Sequence, residues 1–250
     1  MREVAAFLLA IFFPVIGFTE DMAILADRPG FTAGTYTVKP GKFNLELGYQ
    51  YTFDDDSGLR RQTFPWLTLR TGVSPRVELN LLWDGWVVES ANARKGDSWL
   101  SDLSIGSKYA VYEGQQLNLT VVGMVSLPSG SDPSSSRSVE PLLGAIWDFS
   151  FSNKASLFGT IQASSFQFAR ERTYDARVAI GASYSPRDRI GSFLEIYVIT
   201  PFKSKLEKEI VLDGALTYLL TKDVQLDVNG GVGLNRFSNN FLGTGIALRF

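Results

Sequence analysis

From residue 43 onward, hydrophobic and polar positions alternate with a period of two. Phe43, Leu45, Leu47, Tyr49, Tyr51 and Phe53 share one face, while Asn44, Glu46, Gly48, Gln50 and Thr52 share the other. A helix would scatter these two sets around its circumference, whereas a strand separates them. Similar faces recur at 67–73, 77–83, 103–111, 117–127, 143–151, 157–163, 176–184, 194–198, 210–220, 224–234 and 242–250. That makes about twelve strands, mostly of 10–13 residues. Soluble strands are usually nearer 5–6 residues, and a tilted strand needs roughly 9–11 to cross a bilayer.

The links between these segments alternate in character. Short turns at 73–77, 112–116, 152–155, 185–189 and 221–224 are interleaved with links at 54–61, 84–98, 128–138, 170–173, 203–208 and 236–240 that are longer or more polar. Tight periplasmic turns and larger outer loops produce that rhythm in an up-and-down antiparallel barrel. Aromatic residues gather near the expected strand ends. Phe53, Phe64, Trp66, Trp83, Trp86, Trp99 and Phe241 are placed in an outer girdle, and Tyr109, Phe149, Phe151, Tyr184, Tyr218 and Phe250 in an inner one. A soluble sandwich would mix in shorter strands. The pattern therefore predicts an all-β transmembrane barrel over 42–250.

Residues 4–16 form an apolar run of signal-peptide length, too short to span a bilayer as a helix. Residues 1–26 are expected to be a leader, with Ala26 or Gly17 as cleavage positions; a buried N-terminal helix is the alternative. Residues 27–41 then form a periplasmic lead-in, folded back as a partial plug in one version. Two Pro-Gly turns, Arg28-Pro29-Gly30-Phe31 and Lys39-Pro40-Gly41-Lys42, suit type II geometry with glycine at positive φ. Export to the outer membrane of a Gram-negative cell follows.

If the apolar face meets lipid, the other face lines a lumen. Its candidate lining residues are Glu46, Arg70, Glu78, Asn80, Asp102, Lys108, Glu140, Asp148, Arg177, Glu195, Asp213, Asp227 and Arg249. Carboxylates outnumber cations among them, which predicts an acidic passage. A packed, salt-bridged interior without a pore is the competing reading, and would make the chain a structural or surface-contact barrel.

Composition narrows the chemistry further. The 250-residue chain has no Cys and no His, with 24 Lys and Arg against 26 Asp and Glu. Thiolate zinc sites, Cys nucleophiles and His-activated serines are excluded, and no basic face is offered to nucleic acid. No catalytic residue, cofactor or metal is expected. Asp54, Asp55 and Asp56 read as a solvated turn or a weak cation contact with lipopolysaccharide. The stretch at 229–235 is rich in glycine, but no helix follows it, so it is not a nucleotide loop. The expected partners are outer-membrane lipid, lipopolysaccharide, a small-molecule solute and, through the terminal Phe250, the barrel-assembly machinery.

The N-terminal stretch also carries a motif. Asp27, Arg28, Pro29, Phe31 and Thr32, followed by Thr37, Val38, Pro40, Gly41, Glu46, Gly48 and Tyr49, resembles the start of a family of bacterial outer-membrane proteins named for a meta-pathway of phenol degradation. The motif covers only about the first tenth of the chain. An acidic residue commonly follows Phe-Thr in that family, and Ala33-Gly34 stands here instead. The resemblance implies a membrane barrel that takes up small organic or aromatic compounds. Apart from the resemblance, Arg28 is expected to sit inside the periplasmic mouth and to pair with lumen carboxylates such as Glu46 or Asp227.

Overall fold

The computed structural model describes residues 23–91, 96–133, 135–168, 171–202 and 206–250. Most of the expected leader, residues 1–22, lies outside the described residues. Fourteen β-elements form one antiparallel sheet that closes on itself. They are β1 (Phe43–Asp54), β2 (Leu59–Ser74), β3 (Val77–Trp83), β4 (Trp86–Ala91), β5 (Asp97–Leu100), β6 (Leu103–Glu113), β7 (Leu117–Leu127) and β8 (Glu140–Ser150). The remaining six are β9 (Ala155–Phe168), β10 (Glu171–Arg187), β11 (Ile190–Phe202), β12 (Glu209–Thr221), β13 (Val224–Gly233) and β14 (Asn240–Arg249). Closure runs from Asn44↔Arg249 to Phe53↔Asn240, and Phe250 exchanges backbone hydrogen bonds with Phe43 at the rim.

The wall has twelve staves, because two of them are broken in the middle. The lower part of β2 pairs with β3 and its upper part with β4, while β4 pairs with β5 and β3 with β6. The link at 84–98, expected as a loop, is therefore mostly wall. Likewise Leu59, Arg60 and Arg61 belong to β2, leaving a short turn after Asp54. Alternation loses its phase at one level of the barrel, and that concealed these strands. Opposite Pro65-Trp66 stand Asp84-Gly85, and opposite those stand Ser101-Asp102, each two residues outside the regular ladder. The fault is stitched by Ser101, whose backbone N–H and hydroxyl both donate to the Gly85 carbonyl at 3.0 Å. Gly85 has φ +74°, and a β-carbon there would stand 2.3 Å from the Pro65 carbonyl.

The two faces behave as a membrane wall requires. Leu143, Ile161, Leu216 and Leu242 are about 60% exposed on the outside, whereas Glu46, Arg70, Glu78, Lys108, Glu195 and Asp213 are buried inside. A charge on the lipid side would cost a few kcal/mol near the midplane, so the polar set must turn inward. Phe64 and Trp86 lie outside near the loop end, and Tyr109, Phe151, Tyr184 and Phe250 outside near the turn end. Three residues expected in the outer girdle face inward instead. Trp66, Trp99 and Phe241 stand opposite the inward-facing Gly48, Val87 and Thr52, so strand register aims their rings into the lumen.

Candidate functional site: a lumen and its N-terminal plug

The segment leading into β1 occupies the barrel interior. Ile24 is buried and donates its N–H to the Lys222 carbonyl, and Pro40 bridges to Gly72 on β2. This segment, here termed the plug, therefore touches the wall at both of its ends. The second Pro-Gly turn matches expectation, with Gly41 at φ +76° and the Lys42 N–H on the Lys39 carbonyl. The first does not: Gly30 lacks positive φ, and the Arg28–Pro29 bond is cis. Gly30 instead passes close to the wall, where a β-carbon would meet the Phe193 ring at 3.2 Å.

One cluster anchors the plug on the β1–β6 side. Arg70 stands at its centre, with Nε 2.8 Å from Glu78 and 3.2 Å from Asp27, and Nη1 3.0 Å from Glu46. The same guanidinium donates to the Leu25 and Tyr36 carbonyls. Lys108 reaches Asp27 at 2.7 Å and the Gly34 carbonyl at 2.9 Å. Glu46 accepts from the Asp27 and Arg28 backbone N–H groups, and Glu78 from that of Val38. Burial opposes ionisation of Asp27, but the Arg70 and Lys108 charges and the Gly34 N–H outweigh it and hold its carboxyl below the usual range. A buried carboxylate set of this kind is tolerated only because nearly every oxygen finds a cation or an N–H.

Two further contacts continue around the wall. Arg28 pairs with Asp227 at 3.3 Å, while its guanidinium lies 5.6 Å over the Trp66 ring. On the far side, Glu195 accepts from the Phe31 and Thr32 N–H groups, and Phe31 stacks on Tyr197 at 4.2 Å. Thr35 bonds Asp148 through its hydroxyl, and its carbonyl accepts from Thr120. Apart from Tyr49, which lies on the outer face of β1 and bonds Gln62, the residues of the sequence motif are thus plug residues and their receptors on the wall.

The predicted lining residues separate into three groups. Glu46, Arg70, Glu78, Lys108, Asp148, Glu195 and Asp227 touch the plug, with Asn80 and Asp213 buried on the same inner face. Asp102, Glu140 and Arg177 belong to the outer half of the lumen, where they line a cavity of about 320 Å³. Arg249 pairs with Asp223 at the turn-end rim, where it borders a cavity of about 310 Å³ at the base of the plug. Many of the carboxylates offered as an acidic passage are therefore engaged by the plug.

Two further cavities bear on a path through the lumen. Between the plug and the β8–β13 wall lies a cavity of about 330 Å³, whose wall side carries Ser156, Ser183, Ser185, Ser192 and Thr217 beside Phe158 and Phe193. Above the plug, a vestibule of about 470 Å³ is lined by Trp66, Trp99, Asp84, Gln50, Arg61 and Glu89, among others. The sequence pattern did not single out Asp84, Arg61 or Glu89 as lumen residues. They sit on or beyond the fault, where alternation changes phase.

A family model described as "Putative MetA-pathway of phenol degradation" matches residues 26–250. No curated protein matches the chain. Among solved structures, the COG4313 outer membrane channel from Pseudomonas putida F1 is similar with a TM-score of 0.64 at 12% identity, covering 89% of this chain and 99% of that one. The KdgM porin is similar with a TM-score of 0.53 at 12% identity, covering 82% and 99%. At these identities the likeness concerns the fold, a closed outer-membrane barrel.

Proposed function

The chain belongs to the MetA-pathway of phenol degradation family, and on that footing we propose that it is a passive outer-membrane channel for small organic solutes. The observation that carries this reading is the gap of about 330 Å³ left between the docked plug and the β8–β13 wall. A barrel serving only as a rigid surface fixture has no need of a hydroxyl-lined space beside its plug. A solute would enter the vestibule, pass the plug on its serine side and leave at the turn end.

The acidic character proposed for the passage is concentrated in its outer half. Asp84, Glu89, Asp102 and Glu140 face the two outer cavities. The lower gap is lined on its wall side mainly by hydroxyls, with Phe158, Phe193, Trp147, Gln225 and one carboxylate, Asp148, whose oxygens are taken up by Thr35 and Asn118. That combination suits small neutral or weakly polar organic molecules better than hydrated ions. Export by a leader that ends before Ile24, as at the Gly17 position, fits this location, since Ile24 and Leu25 belong to the docked plug. The outward rings and the exposed Phe250 support contact with lipid, lipopolysaccharide and the assembly machinery. Liposome swelling with a panel of sugars, organic acids and phenolics tests the reading. Faster swelling with small phenolics than with organic acids of equal size is expected. No permeation by any member would favour a closed structural barrel.

A further inference from the structure

We propose that the outer vestibule is a binding site for a small organic cation that carries a flat unsaturated ring. The inference rests on the channel reading only for the route by which the ligand arrives. The fault across staves two to four turns Trp66 and Asp84 inward at one level, and Trp99 is buried against the same space. Rings on the remaining staves mostly face lipid, so two inward indoles in one cavity are a local departure with a local cause.

Charge decides what the rings would hold. Asp84 lines both outer cavities and shares the vestibule with the Trp66 indole, which places its carboxylate at the boundary between them. Among the described residues, no cationic side chain forms an ion pair with Asp84. The two arginines facing these cavities are already engaged, Arg61 by Glu89 at 2.5 Å and Arg177 by Asp175 at 3.0 Å. Arg28 lies over Trp66 but is paired with Asp227. Glu140 and Asp102 add negative charge nearby. An anion would therefore meet unpaired carboxylate, and a neutral ring would leave Asp84 without a counter-charge. A protonated amine satisfies Asp84 while its ring lies against indole, and indole faces attract cations in their own right. The volume, about 470 Å³, falls within the usual span for small-molecule sites.

The test is equilibrium binding to the full barrel in detergent, followed by tryptophan emission. Three probes of matched size are used: 2-phenylethylammonium, 2-phenylethanol and phenylacetate. The proposal expects the cation to bind about tenfold more tightly than the alcohol, with the anion weakest. Asp84→Asn should erase the advantage of the cation and leave the alcohol unchanged, while Trp66→Phe should weaken all three. Equal affinities in the unmodified protein, or a cation preference that survives Asp84→Asn, would overturn it. The unmodified protein alone decides the first point if the variant fails to fold. Swelling assays on the same preparation separate the two readings, since a barrel that conducts without preferring the cation refutes only this site.

Discussion

The Arg28 guanidinium occupies the space in which Gly48 would carry a β-carbon. Such a carbon would stand 2.2 Å from Nη1, and one on Gly245, the cross-strand partner of Gly48, would stand 2.4 Å from Nε. The Glu-x-Gly element of the N-terminal motif acquires a physical meaning here: Glu46 receives the plug backbone, and Gly48 leaves room for its arginine. Gly48→Ala is expected to expel Arg28 from Asp227 and to resemble Arg28→Ala. Both should lose about 1–3 kcal/mol of stability, because a buried carboxylate is left without its partner. Urea midpoints and single-channel conductance check this. A Gly48→Ala barrel that matches the parent in both would contradict it.

Arg70 is expected to be the most sensitive single position. It neutralises parts of Asp27, Glu46 and Glu78 at once and holds two plug carbonyls. Arg70→Met keeps an unbranched stem as long as the arginine out to its Nε position and removes every one of those bonds. The expected loss is about 3–5 kcal/mol, the range for stranding buried charges. Adding Glu46→Gln and Glu78→Gln should recover a good part of it, because two of the three stranded carboxylates are then gone and Asp27 keeps Lys108. Denaturation of the single and triple variants decides the point.

The docked plug should respond to acid in one direction. The Asp27 carboxyl is held below its ordinary value of 3.8, so its contribution is complete above that value. The contribution is lost as pH falls through the lower folded-state value. Conductance is expected to stay steady from neutral pH down to about 5 and to rise or become noisy below about 4. Asp27→Asn should flatten that change. A parent whose conductance has no acid limb would count against docking through Asp27.

Much of this architecture was legible because two-residue alternation survives wherever strand pairing is regular. The faces of β1, the lower part of β2, β6 and β13 read directly from the sequence, and the inward positions of Glu46, Arg70, Lys108 and Asp227 follow from them. The pattern failed at the fault. Phe64 and Leu67 both face outward across two extra residues, as do Trp83 and Trp86, so β4 and β5 looked like loop and Trp66 looked like girdle. The plug was only half visible. Its Pro-Gly turns and missing lipid face marked it as a stranger to the bilayer. Its docking surface, by contrast, is assembled from Glu78, Lys108, Asp148 and Glu195, which are far from it in sequence and share no local pattern with it.

The central claim is that solute passes beside the docked plug, along the serine face of the wall. The chain has no cysteine, so one introduced at Ser183 is unique. Ser183 lies on that face, with its hydroxyl 2.7 Å from that of Ser156. Single-channel recording of Ser183→Cys during addition of a bulky methanethiosulfonate reagent tests the route directly. The account predicts a stepwise fall in conductance as each barrel is modified, with no effect of reagent on the parent. Complete modification of the cysteine with conductance unchanged would contradict it.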